Sequence, residues 1–165
     1  MKLLLMRHAH TEQSPEKRDF ERMLTDQGKA EAMEAANFLH LHQIDKIVVS
    51  YVKSTMQTAN IIQEKVTVSE IEVVTELYNG TQEDVIKLLS EQDNTNKHIL
   101  VIGHNPLIYN MSLKIAANDS KEFESLSHSS MPPARVIVID FPSIHSWKEL
   151  KNHKGNIIEI FTPSF

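Results

Sequence analysis

The sequence predicts an α/β fold of three layers, α/β/α, built on a mostly parallel central sheet with antiparallel strands at its C-terminal end. Three observations carry this. Apolar runs of strand length (Leu3 to Met6, Ile44 to Ser50, Ile71 to Val74, Lys97 to Ile102) alternate over the first two-thirds of the chain with stretches of helical apolar spacing, as parallel strands and crossover helices do. Several of these runs stop abruptly at polar residues, which is how open α/β sheets present a site at the carboxyl ends of their strands. Beyond them, Ala134 to Phe141 and Ile157 to Phe161 are two more strand-like runs, and a polar connection containing Gly155-Asn156 suits antiparallel pairing at an edge.

Composition bounds the rest. The 165 residues are expected to form one domain, residues 1–165, long enough for a real core. A net charge of −5 argues against a general nucleic-acid binder, which needs a basic face. With no cysteine there is no disulfide framework, thiolate metal site or thiol nucleophile. The first apolar run is too short for a signal-peptide core or a membrane span, so a cytoplasmic location and no membrane partner are expected.

In chain order, Glu12 to Arg22 is polar, contains Pro15, and reads as a loop across the mouth of a site. Thr25 can cap a helix whose apolar positions are Ala32, Ala35, Ala36 and Leu39. A second helix is expected over Lys53 to Glu64, with Ala59 and Ile62 facing inward. Thr81 caps a third, with Glu83 and Asp84 in its first turn and Val85, Leu88 and Leu89 as its buried stripe. After the strand ending at Ile102, Asn105 is expected to cap a helix that starts at Pro106 and ends near Asn118. Lys121 to Pro133, serine-rich with a double proline, reads as a loop.

The candidate site follows from where these strands end. Arg7-His8, Ser50, Glu76 and His104 all fall where a strand hands over to a loop, and in a parallel sheet those ends share one edge. A neutral histidine can attack phosphorus, while an adjacent guanidinium holds phosphoryl oxygens and keeps the imidazole unprotonated. His104 precedes a helix N-terminus, which favours anions. The pairs His8/His10 and His40/His42 do not make a metal site, because alternate residues on a helix do not share a face and no His-x-x-x-His accompanies them. No metal or cofactor is expected. Trp147 and the methionines read as packing.

Leu-Met-Arg-His-Ala at 5–9, Arg22-Met23-Leu24-Thr25 with Gly28, Ser50 with Gln57-Thr58-Ala59, and Gly-His-Asn-Pro at 103–106 resemble the histidine phosphatase superfamily, the phosphoglycerate-mutase-like proteins. The short length, Ser146-Trp147 and Phe161-Thr162-Pro163 look most like its SixA-type phosphohistidine phosphatase branch. The resemblance implies a metal-independent phosphatase in which His8 is the nucleophile. Arg7, Arg22 and His104 would hold the phosphoryl oxygens, and the substrate would be a protein phosphohistidine or a small phosphomonoester. Glu76 stands where mutase-like relatives carry a general acid; read from its position alone it is equally a solvated carboxylate. The resemblance also exposes a departure. The family carries a phosphate-binding arginine four residues after the serine, and here that slot is Ser54, with Lys53 one residue off and about 100° round a helix. Ser54 and Lys53 therefore enter the candidate phosphate-binding set. Ser54 motivates the alternative of a phosphate- or phosphohistidine-binding module with impaired turnover.

Overall fold

The computed structural model describes residues 1–164. Six strands, β1 (Lys2–Arg7), β2 (Lys46–Ser50), β3 (Glu70–Val74), β4 (His98–Gly103), β5 (Val136–Asp140) and β6 (Asn156–Phe161), form one sheet in the order β3-β2-β4-β1-β5-β6. The first four are mutually parallel, while β5 runs antiparallel to β1 and β6 antiparallel to β5. This is the mostly parallel sheet with an antiparallel C-terminal edge that the sequence predicts.

Strand side chains alternate between two cores. Leu3 and Leu5 of β1, with Ile99 and Val101 of β4, face one side. Leu4, Met6, Leu100 and Ile102 face the other. Both faces of the central strands are buried, so these strands read as continuous apolar runs rather than alternating ones. Helices α1 (Asp26–Leu39) and α2 (Lys53–Ile62) cover the Leu4 face through small residues such as Ala32, Ala35 and Ala59. The Leu3 face is covered by α4 (Gln82–Ser90), α5 (Leu107–Ile115) and α6 (Lys121–Ser127), along with the Trp147 turn. Between β3 and α4 lies a short helix, α3 (Glu76–Asn79). No helix among the described residues is long and apolar enough to cross a membrane.

Capping was legible at Thr25 and Thr81. Thr25 accepts from Gly28 N, and Thr81 forms a reciprocal capping box with Asp84. Three expectations need correction. Lys121 to Pro133 is not all loop. Ser120 accepts from Phe123 N at 3.0 Å and starts α6, a two-turn helix whose one fully buried residue, Leu126, is too little to show as a periodic stripe. Asn105 does not cap α5, because its Nδ2 donates to Met131 O at 2.9 Å and the cap position falls on Pro106, which has no side-chain cap. That helix also stops at Ile115 rather than near Asn118. Finally, the Glu12–Arg22 loop contains one turn of 3₁₀ helix at Asp19–Glu21.

Candidate active site

β1 and β4 are parallel neighbours with Arg7 opposite Gly103, so the residues that follow them, His8 and His104, emerge together. His8 N donates to Gly103 O at 3.0 Å, and the two imidazole rings lie 5.2 Å apart between centroids. β2 adds Ser50, whose fully buried hydroxyl lies 3.0 Å from His104 Nε2.

The tautomer of His8 follows from its partner. Nδ1 sits 2.7 Å from Ala9 O, and a carbonyl can only accept. Nδ1 therefore carries the proton, and Nε2 holds a free lone pair in the neutral ring. Burial, with Arg7 adding to it, pushes His8 down to about 4, against the opposing pull of the Ala9 hydrogen bond and Asp19. Burial and then neighbouring His8 lower His104 to about 4 as well. Both rings are thus neutral at pH 7.

The loop that carries His8 is fixed from several sides. Ala9 N donates to Thr58 Oγ1 at 3.1 Å, and that hydroxyl donates to Ser54 O at 2.7 Å. His10 N donates to the buried carboxylate of Glu31 at 3.0 Å. A Cβ on Gly28 would lie 2.1 Å from His10 O, so only glycine lets α1 approach this loop. Thr11 bridges Leu24, and Leu24 N donates to Gln57 Oε1 at 2.8 Å. These contacts are the physical content of the Arg22-Met23-Leu24-Thr25, Gly28 and Gln57-Thr58 pattern. From β5's side, Ala134 adopts a left-handed backbone (φ 63°), and its N–H lies 3.1 Å from both Arg7 O and His8 O. A non-glycine residue accepts that conformation at some strain where the surroundings enforce it.

Both candidate arginines have donors to spare. Arg7 Nη1 donates to Met131 O at 2.9 Å, while Arg7 Nε and Arg22 Nε are buried with no hydrogen-bond partner. A buried guanidinium donor without an acceptor is costly, and an oxyanion is the natural acceptor. Arg22 also lies 3.6 Å from Asp19.

Of the other predicted residues, Glu76 falls elsewhere. Glu76 opens α3, accepts from Thr75 Oγ1 at 3.0 Å and lines a separate cavity with Lys46, Glu72 and Lys87. It is not among the residues lining the cavity beside His104. Ser54 is buried on α2, whereas Lys53 is exposed and makes no ion pair among the described residues.

Two functional candidates escaped sequence reasoning. A cavity of about 410 Å³ opens against His104 and is lined by Asp19 and Tyr78. Tyr78 packs edge-on to the His104 ring at 5.1 Å, and its hydroxyl donates to Asp19 Oδ2 at 3.2 Å. Tyr51 packs against Tyr78 at 5.7 Å. Asp19 sits three residues before Arg22, the spacing of one 3₁₀ turn, and that was the available signal.

Comparison with known proteins agrees with the fold. A candidate phosphohistidine phosphatase SixA from Nakamurella multipartitia superposes with a TM-score of 0.86 at 23% identity, covering 99% of this chain and 96% of that one. A second candidate phosphohistidine phosphatase SixA, from Agrobacterium tumefaciens, gives 0.80 at 23% identity over 98% of both chains. A structure of the protein histidine phosphatase SixA complexed with tungstate gives 0.80 at 21%, covering 99% and 97%. At these identities the likeness establishes the fold. No curated protein matches the sequence. The sequence profile of the histidine phosphatase superfamily (branch 1) matches residues 3–86, half of the chain and the half that holds Arg7, His8, Arg22 and Ser50, and the chain belongs to that superfamily.

Proposed function

We propose that this protein is a phosphatase that works through a phosphohistidine on His8 and acts on a protein phosphohistidine or a small phosphomonoester. One observation carries the reading: His8 keeps Nδ1–H on Ala9 O, leaving Nε2 as the lone-pair nitrogen of a neutral ring beside Arg7, and both Arg7 and Arg22 hold a buried Nε donor without a partner. The tungstate held by a SixA of the same fold is a tetrahedral oxyanion of the kind such donors suit.

The steps balance without a cofactor. The Nε2 lone pair bonds to phosphorus as the bond to the leaving atom breaks, and that electron pair departs with the leaving group. Arg7, Arg22 and His104 hold the equatorial oxygens, whose charge grows in the transition state. Water then bonds to phosphorus, the P–Nε2 bond breaks, and the water's proton passes to solvent or to the released phosphate. An imidazole leaving group needs little protonation, so the scheme requires no strong general acid.

Ser54 favours a second reading, a phosphohistidine-binding module with weak turnover, because a buried neutral hydroxyl replaces the expected cation. One experiment separates the two. Enzyme mixed with labelled substrate and quenched should retain an acid-labile phosphoryl group, and His8→Ala should trap none while remaining folded. Label trapped equally in His8→Ala sinks the nucleophile; phosphate binding with neither label nor turnover in the wild type favours the module. Turnover should persist in a strong chelator, and loss restored by zinc or magnesium would refute the cofactor-free scheme.

A further inference from the structure

A groove of about 550 Å³ lies away from the phosphoryl site, between α4, the end of α5 and the segment Leu150–Lys154. Its floor is apolar, made by Ile86, Ile115 and Leu150. Its rim carries Lys87, Lys114, Lys151 and Lys154. Lys114 pairs with Glu83, and Lys154 donates to the uncharged carbonyl of Lys114. Lys87, Lys151 and Lys154 have no carboxylate partner within ion-pair distance among the described residues. In a chain of net charge −5, this is a local reversal of sign.

The groove adjoins the cavity beside His104 at one residue. Glu83, in the first turn of α4, lines both the groove and the cavity beside His104.

Taking the phosphoprotein reading above as its basis, we propose that this groove docks an acidic, amphipathic segment of the phosphorylated protein substrate. Carboxylates would meet the lysine rim and apolar side chains the floor. The chemistry discriminates among occupants. A free phosphate has no use for an apolar floor. Nucleic acid is matched by arginine forks and aromatic stacking platforms, and the groove is lined by neither. A positive patch on an otherwise acidic protein also steers an acidic partner to this face and suppresses other orientations.

The probe is a short fluorescein-labelled synthetic peptide with glutamates on one face and leucines on the other, followed by anisotropy. The wild type should bind it saturably, with affinity that falls as salt rises. Lys87→Glu combined with Lys151→Glu, both at exposed positions, should weaken binding by at least about tenfold and leave hydrolysis of an aryl phosphate unchanged. Replacing the leucines by serine should also abolish binding. For a phosphohistidine peptide carrying the acidic segment, KM should rise in the double variant while KM for the aryl phosphate stays constant. No binding by the wild type, binding indifferent to the lysines, or equal binding of the serine peptide would each overturn the docking site. Failure of the catalytic reading looks different: lysine-dependent peptide binding with no phosphohistidine turnover by the wild type.

Discussion

On the floor of the crevice, His8 and His104 are each anchored through one ring nitrogen, to the buried backbone at Ala9 O at 2.7 Å and to Ser50 Oγ of β2 at 3.0 Å. At its mouth, Asp19 and Tyr78 are anchored to each other, across two different elements, by a single exposed hydrogen bond of 3.2 Å. The loop that carries His8 is bonded to β4, α1 and α2 through His8 N, His10 N and Ala9 N, while Asp19 rides a one-turn helix inside a polar loop. On the proposed mechanism the difference separates two jobs. Groups that meet charge developing on phosphorus must be in place beforehand. Groups that meet a leaving group of variable shape can exchange partners when it arrives.

The largest expected effects therefore lie on the floor. Arg7→Ala removes the guanidinium beside His8 and should lower kcat/KM for an aryl phosphate by ~10²–10³, as loss of a preorganised donor does. If Asp19→Ala costs more than Arg7→Ala, the division between floor and mouth is wrong.

Acidity tests the same floor. His8 and His104 are held down to about 4 against a reference of 6.5, chiefly by burial. Since the nucleophile must be neutral, kcat/KM corrected for substrate ionisation should stay level from pH 7 to about 5 and fall about tenfold per unit below about 4. An acid limb centred near 6.5 would mean that His8 is not buried as described. The shifts also act on stability. Above 6.5 the rings are neutral folded or unfolded, so stability is fully present. Between 6.5 and about 4 the unfolded chain binds protons that the folded one refuses, so stability falls with pH and levels off below about 4. Denaturant midpoints across that window check the sign.

An intermediate effect is expected where the floor is one cation short. Ser54→Arg should raise turnover by about tenfold, or ~1.4 kcal/mol of barrier, if the buried first turn of α2 faces the transferring group. Lys53→Ala should change little, because Lys53 is exposed and engages no partner among the described residues. A large loss in Lys53→Ala would show that this lysine swings in and substitutes for the arginine.

How much of this could be read in the sequence follows the same boundary. The four parallel strands and the placing of Arg7, His8, Ser50 and His104 at one edge were legible, because continuous apolar runs ending in polar residues are a local signal. Glu76 also follows a strand, yet it opens α3, accepts from Thr75 Oγ1 and lines a cavity with Lys46 and Glu72 rather than the one beside His104. Strand position fixes a backbone, and a following helical turn re-aims the side chain. Asn105 was misread for a similar reason: a distant carbonyl, Met131 O, outcompetes the local cap. Asp19 and Tyr78 were missed because their pairing spans 59 residues between two polar segments, and neither segment has any periodicity to reveal it.

The smallest effect belongs to that last pair. Tyr78→Phe deletes the hydroxyl that donates to Asp19 but keeps the ring that packs edge-on to His104 at 5.1 Å. Burial first, and Asp19 next, raise the pKa of Tyr78, so the phenol is protonated at neutral pH and its loss removes a donor rather than a charge. The freed Asp19 carboxylate can turn to water or draw closer to Arg22, now 3.6 Å away. A hydrogen bond to a charged acceptor at an exposed position is worth on the order of 1 kcal/mol or less after exchange with water. The expected change in kcat/KM is therefore no more than about fivefold, the rate equivalent of that energy, and it should fall in KM. A loss in kcat beyond about tenfold would move Tyr78 and Asp19 from the leaving-group mouth into the chemical step. Tyr78→Ala should cost more than Tyr78→Phe, since it also strips the ring from His104; equal losses would mean that the hydroxyl, and not the ring, holds the wall of the crevice.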